Sequence, residues 1–84
     1  MSKLTIMTEL KHQNNIQNWM ETNLTKADYD KLIVEIPGML GITKMTWFNY
    51  RTGRTEIGIT TLQKLYDILA PYGCEHEGIL IKQL

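Results

Sequence analysis

Apolar residues recur at helical spacing over much of the second half of the chain. The longest regular set has members three or four positions apart: Ile59, Leu62, Leu65, Tyr66 and Leu69. Residues at that spacing share one face of an α-helix, so the pattern predicts an amphipathic helix with one buried side. Pro71 and Gly73 predict its end, because proline cannot continue a helix and glycine commonly follows one.

A shorter helix is predicted just before it. The Thr43 hydroxyl can accept a hydrogen bond from a free backbone N–H group, which predicts an N-cap and a helix that begins at Lys44. Gly53 predicts the end of a helix about nine residues long, since glycine readily takes a left-handed conformation. Trp47 and Tyr50 share one face, which we expect to lie in the core. The other face carries Lys44, Met45, Phe48 and Asn49.

The first half of the chain predicts two more helices. Asn14 and Asn15 are candidate caps for a short helix ending near Asn23, with Ile16, Trp19 and Met20 on its apolar face. Thr25 and Asp28 resemble a capping box and open a second helix. The apolar face of that helix consists of Tyr29, Leu32, Ile33 and Ile36. We predict that it ends near Ile36 and that residues 37–40 form a separate turn, because Pro37 would interrupt the hydrogen bonds of a longer helix.

Both termini carry patterns that favour β-strands. Apolar and polar residues alternate in part over residues 3–10, with Leu4, Ile6 and Leu10 on one side, although the same stretch could also begin a helix. The tail, residues 78–84, has β-branched residues after a glycine and no helix cap, which predicts a strand. Because a lone strand is unstable in water, we expect the tail to pair with the N-terminal segment, with its copy in a second subunit, or with both.

The pattern in the middle of the chain resembles that of the Cro and lambda-repressor (XRE-type) helix-turn-helix proteins. The resemblance rests on a Leu-Gly-Ile-Thr entry and on glycine and apolar positions in register after it: Leu40 to Thr43, Trp47, Tyr50, Gly53, Ile59, Leu62, Leu65 and Leu69. It covers roughly a third of the chain closely and roughly half when the less regular stretch before it is counted. Pro37 departs from the family, whose first motif helix is usually uninterrupted.

The resemblance implies a specific set of contacts with DNA. In such proteins the second helix of the motif lies in the major groove, which would place Lys44, Met45, Phe48 and Asn49 against base edges. Thr43, Arg51 and Arg54 are the expected phosphate contacts, because they lie at the helix ends and in the loop. Some Cro-like proteins form dimers through a C-terminal strand, so Ile79, Leu80 and Ile81 are the expected dimerisation residues.

The function expected from this resemblance is that of a transcriptional regulator. We expect a cytoplasmic repressor, encoded by a bacterium or a phage, that binds a palindromic site on double-stranded DNA as a homodimer. The net charge of zero is an objection, because DNA-binding domains usually carry a basic excess. Between residues 41 and 55, however, Lys44, Arg51 and Arg54 occur without any acid. The alternative is a helical protein-interaction module that does not bind DNA.

Composition and length set the remaining expectations. The chain of 84 residues, 43% of them hydrophobic, predicts one mainly α domain of four or five short helices. The helix-turn-helix core should span about residues 25–73, with the tail over 74–84. The predicted core consists of Ile36, Leu40, Ile42, Trp47, Ile59, Leu62, Leu65 and Leu69.

Other classes of protein and of site find little support in the sequence. The single cysteine argues against a disulfide framework, and the longest apolar runs are too short to cross a membrane. Cys74 and His76 are only two metal ligands without a second pair, and Ser2 is the only serine, so we expect no metal site, no cofactor, no small-molecule substrate and no catalysis.

Overall fold

The computed structural model describes residues 13–81, which form a mainly α domain as predicted. Four α-helices follow one another, and we number them in chain order: α1 (Ile16–Asn23), α2 (Lys26–Leu40), α3 (Lys44–Thr52) and α4 (Ile59–Leu69). Two 3-10 turns complete this part of the chain: Ala70–Tyr72 and Glu77–Leu80. No helix within residues 13–81 is long and apolar enough to cross a membrane.

Local capping explains where α2 and α3 begin. The Thr25 hydroxyl accepts a hydrogen bond from the Asp28 N–H at 3.1 Å, and the Thr43 hydroxyl accepts one from the Thr46 N–H at 3.0 Å. Each threonine thereby satisfies one of the N–H groups that the first turn of a helix leaves without a partner. Both predicted helix starts are confirmed.

The predicted helix end near Ile36 is wrong, because α2 continues through Pro37 to Leu40. Proline removes one hydrogen bond from the helix, but Pro37 is itself buried and its carbonyl accepts from the Ile42 N–H at 2.9 Å. Gly41, at φ 70°, donates to the Gly38 carbonyl and completes a Schellman cap. Burial and this cap therefore move the end of α2 beyond the proline, into the turn that leads to α3.

The core lies between the four helices and the final 3-10 turn. Its buried apolar residues are Ile16, Trp19, Met20, Leu32, Ile36, Trp47, Leu62, Leu65, Leu69, Cys74 and Leu80. The predicted core is confirmed at Ile36, Trp47, Leu62, Leu65 and Leu69, whereas Leu40 and Ile42 are only partly buried. Ile59 was predicted to be buried but is 75% exposed, because it lies at the first position of α4 on the rim of a groove.

The C-terminal strand prediction is wrong for residues 78–81, and residues 13–81 contain no strand. Glu77–Leu80 forms a 3-10 turn, and Leu80 is fully buried. The Asn15 N–H donates to the Leu80 carbonyl at 2.9 Å, and the Asn15 side chain donates to the Ile79 carbonyl at 3.0 Å. These carbonyls thus bind the start of α1 instead of a neighbouring strand. Residues 82–84 and the predicted N-terminal strand over 3–10 lie outside the described residues.

Candidate nucleic-acid interface

Helix α3 is short and is fixed at both ends. It has nine residues, with Thr43 as its N-cap and Gly53, at φ 81°, as the left-handed residue after its end. The Arg54 N–H donates to the Asn49 carbonyl at 2.9 Å and the Gly53 N–H donates to the Tyr50 carbonyl, which makes a second Schellman cap. Trp47 is 1% exposed and anchors the inner face of the helix in the core. The two caps and the buried Trp47 therefore hold α3 in a fixed orientation relative to the rest of the domain.

The outer face of α3 presents the four residues that the sequence predicted as base contacts. Lys44, Met45 and Phe48 are exposed and Asn49 is half-buried. Met45 is 66% exposed and Phe48 is 42% exposed, and their spacing of three positions places these two large apolar side chains next to each other on the helix. We call Lys44, Met45, Phe48 and Asn49 the α3 face. It combines an ammonium group, a carboxamide and two apolar groups within two turns of one helix.

Arg51, one of the expected phosphate contacts, is half-buried and makes contacts within the domain. Its guanidinium donates to the Gln17 side-chain oxygen at 2.6 Å, and Gln17 in turn donates to the Tyr29 hydroxyl at 2.6 Å. The same guanidinium lies 5.2 Å from the centre of the Trp47 ring and 5.5 Å from that of Phe48, within the range of cation–π attraction. Arg51 therefore joins α3 to α1 and α2.

The surroundings of Arg51 are partly dehydrated. Burial lowers the pKa of the Arg51 guanidinium, and the nearby Tyr29 and Glu21 partly oppose that change. Arginine nevertheless stays protonated in proteins, so a full positive charge remains beneath the α3 face. The Arg51 Nε and the Trp47 Nε1 are buried without a hydrogen-bond partner among residues 13–81. Arg51 thus acts mainly as an internal support, and a phosphate would have to compete with Gln17 for it.

Two side chains support α3 through contacts that the sequence did not predict: Asn14, just before α1, and Gln17, within α1. The Asn14 side chain donates to the Tyr50 carbonyl at 2.7 Å, near the end of α3, and accepts from the Ile16 N–H at 2.9 Å. The N-cap position of α1 is Asn15, whose side chain makes no capping bond, so of the two predicted caps only Asn14, one residue earlier, bonds the first N–H of the helix. The contact of Gln17 with Arg51 spans 34 positions, and no local signal in the sequence could have revealed it.

The other expected phosphate contacts, Thr43 and Arg54, lie beside the α3 face. Thr43 and Arg54 are both exposed, at the start of α3 and in the loop after it. The Thr43 hydroxyl is already bonded to the Thr46 N–H and lies 2.9 Å from the Thr46 hydroxyl. The backbone N–H of Arg54 donates to the Asn49 carbonyl, whereas within residues 13–81 its side chain makes no hydrogen bond or ion pair. Arg54 is thus the expected phosphate contact that the fold leaves most accessible.

The three residues expected to form a dimer do not lie on one exposed strand. Ile79 is half-buried, Leu80 is fully buried in the core of its own chain, and Ile81 is 44% exposed. Leu80 cannot contact a second subunit without leaving that core. Only Ile79 and Ile81 remain accessible for an interface.

The pair of Cys74 and His76 does not form a cluster of ligands. The Cys74 side chain is 1% exposed, and its sulfur lies 3.8 Å from the His76 carbonyl oxygen. Burial raises the pKa of the Cys74 thiol, and the contact with His76 opposes this. Within residues 13–81, no three His, Cys, Asp or Glu side chains come close enough to hold one metal ion.

We predict that removing the cap of α3 destabilises the domain. Thr43→Ala should lower the free energy of unfolding by about 0.5–2 kcal/mol, because the Thr46 N–H loses its acceptor. Thr55→Ala is a matched control, since Thr55 is also exposed and its side chain makes no hydrogen bond within residues 13–81. Urea denaturation followed by circular dichroism measures both variants. Equal midpoints for the two would show that the cap contributes nothing.

Comparison of the chain with known proteins gives no match. No protein-family model matches the chain, and neither a curated protein nor a solved structure matches it. The resemblance to Cro and lambda-repressor proteins over residues 40–69 therefore stays a prediction from the sequence.

Proposed function

We propose that this protein is a sequence-specific DNA-binding regulator that inserts α3 into the major groove. The observation that carries the proposal is the combination of a rigidly held short helix with an outer face of Lys44, Met45, Phe48 and Asn49. A major groove about 12 Å wide accepts an α-helix with its side chains, and a helix with fixed ends enters it without a large loss of entropy.

The polar groups of the α3 face fit base edges. The Asn49 carboxamide can pair with both N6 and N7 of adenine, and the Lys44 ammonium can donate to O6 and N7 of guanine. Neither side chain makes a hydrogen bond to another residue within 13–81, so neither has to give up a protein partner to reach DNA. Lys44 and Asn49 are the groups to which we assign hydrogen-bonded base readout.

The apolar members of the α3 face have a separate role. Met45 and Phe48 offer no donor, but they can pack against the methyl group of thymine. Such contacts would remove from water the apolar surface that these side chains expose in the free protein. The preferred site should therefore contain A·T as well as G·C pairs.

Affinity for the phosphate backbone would come from a local excess of positive charge. Lys44, Arg51 and Arg54 lie in or beside α3, and residues 41–55 contain no acid, although the whole chain has a net charge of zero. A neutral protein that gathers its cations at one surface still releases counterions when that surface meets DNA. We assign phosphate contact to Arg54. The complete assembly in this proposal is a homodimeric repressor bound to a palindromic site.

Selection of bound sequences from a random DNA pool with the purified protein tests the proposal. We expect enrichment of a palindromic motif and a steep loss of affinity as salt is added. Failure to enrich any motif, together with absence of binding at low salt, would contradict the proposal.

The assigned base contact gives a sharper prediction. Asn49→Ala should weaken binding to the selected site by about 1–3 kcal/mol and relax the preference at one base pair, because the paired adenine loses both hydrogen bonds. Fluorescence anisotropy with sites substituted at each position measures both effects. Lys44→Ala should also weaken binding, whereas Lys64→Ala removes the same charge from an exposed position of α4 and serves as control. Unchanged affinity and preference in Asn49→Ala and Lys44→Ala would show that α3 does not read DNA.

A protein-interaction module is the second candidate, and one observation favours it. The exposed Met45 and Phe48 side chains, on a chain without net charge, would also suit a partner with an apolar pocket. In that case Phe48→Ala would abolish partner binding, and the protein would show no salt-dependent affinity for DNA.

A further inference from the structure

An apolar groove lies outside the α3 face, and it includes Ile81, one of the residues expected at the dimer interface. It is formed where the loop before α4 meets the C-terminal turn, and its apolar lining consists of Ile57, Ile59, Leu62, Leu80 and Ile81. Leu62 and Leu80 are buried at its base, whereas Ile59 is 75% exposed and Ile81 is 44% exposed. Ile59 and Ile81 together form a contiguous apolar surface at this groove, and such surfaces are normally covered.

The groove lies where residues 1–12 join the described part of the chain. Gln13 and Asn14 line the groove, and so does Ile81 at the other end of that part. Asn14 donates to the Tyr50 carbonyl and Asn15 donates to the Leu80 carbonyl. These hydrogen bonds fix the start of the described chain against α3 and the C-terminal turn. The preceding residues therefore connect to the domain at the edge of the groove.

The composition of that preceding segment suits the groove. Leu4, Ile6 and Leu10 fall on one side when residues 3–10 are extended, and eight extended residues span at most about 29 Å. The groove has a volume of about 280 Å³, and an apolar cavity of about 150 Å³ accommodates a group as large as benzene. The groove can thus receive about two aliphatic side chains. Glu56 at its lining also complements Lys3 and Lys11 in charge.

We propose that residues 3–10 of the same chain occupy this groove and cover Ile59 with Leu4 and Ile6. A segment tethered at Gln13 has a high effective concentration at the groove, which favours it over the same segment of a second copy. The inference does not depend on DNA binding.

Substitutions at the start of α4 test this proposal in the full chain. If nothing covers Ile59, then Ile59→Asp should be neutral or slightly stabilising. The first turn of α4 has no acid, and the new carboxylate would interact favourably with the positive end of the helix dipole. If residues 3–10 cover it, Ile59→Asp buries a charge and should raise the equilibrium constant for unfolding on the order of ten- to a hundredfold. Thr60→Asp is the matched control, since Thr60 is exposed, lies outside the groove and occupies the same turn.

Substitutions within the segment identify what covers the groove. Leu4→Ser combined with Ile6→Ser should destabilise the protein and should reduce the effect of Ile59→Asp, whereas Lys3→Ser combined with Thr5→Ser should do neither. Urea denaturation followed by circular dichroism measures each variant at protein concentrations a hundredfold apart. Equal effects of Ile59→Asp and Thr60→Asp, or full additivity with the Leu4 and Ile6 changes, would overturn the proposal. So would a difference between Ile59→Asp and Thr60→Asp that disappears on dilution, because the groove would then belong to an interface between two copies.

Discussion

Leu65→Ala should lower the free energy of unfolding by about 2–5 kcal/mol, which is a large part of the stability of a domain of this size. Leu65 is fully buried in the middle of α4, between Leu62 and Leu69 on the same face. Truncation to alanine removes apolar burial and leaves a cavity that the packed helices can close only in part. Thermal unfolding should show a fall in Tm of about 4–8 °C for each kcal/mol.

The control for Leu65→Ala lies on the opposite side of the same helix. Gln63 is exposed, so Gln63→Ala changes helix propensity slightly and leaves the core intact. An unchanged denaturation midpoint in Leu65→Ala would mean that α4 turns a different face toward the core.

Trp47→Ala should destabilise the domain by about 3–5 kcal/mol, because the largest fully buried side chain is lost from the inner face of α3. Arg51 would also lose one of the two rings over which its guanidinium lies. Trp47→Phe should cost less, since phenylalanine keeps an aromatic ring and the Trp47 Nε1 has no hydrogen-bond partner among residues 13–81. Circular dichroism during urea denaturation measures both changes.

Phe48→Ala is the control for Trp47→Ala, because Phe48 is the adjacent aromatic residue and is 42% exposed. Its truncation should lower stability far less than that of Trp47 while removing an apolar contact from the α3 face. If Trp47→Ala and Phe48→Ala were equally destabilising, Trp47 would not be the residue that holds α3 in the domain.

The parts of the fold that the sequence predicted correctly depend on short-range interactions. Thr25 and Thr43 bond to N–H groups three residues ahead, and Gly53 closes α3 through its own backbone conformation. These effects involve only neighbouring residues, so the sequence pattern contains them. The exposure of Met45 could be predicted for the same reason, since the helical repeat places it nearly opposite the buried Trp47.

The incorrect predictions concern positions where distant residues override a local preference. Pro37 continues α2 because its side chain is buried and Gly41 and Ile42 complete a cap beyond it. Ile79 and Leu80 form a turn and not a strand, because Asn15 donates hydrogen bonds to both of their carbonyl groups. Asn15 and Ile79 are 64 positions apart in the sequence. The contact of Arg51 with Gln17, which lies on another helix, is likewise long-range and was not predicted, while the role of Arg51 toward phosphate stays a prediction.

The contact between Asn15 and the C-terminal turn also bears on the order in which the domain assembles. Contacts of α2 with α3 and of α3 with the loop after it join residues close in sequence, so they require the closure of short loops only. Asn15 and Ile79 meet only after a loop of more than sixty residues has closed, which costs more chain entropy. We therefore expect α2, α3 and α4 to form the folding nucleus, and α1 and the C-terminal turn to dock late and to separate first when the protein unfolds.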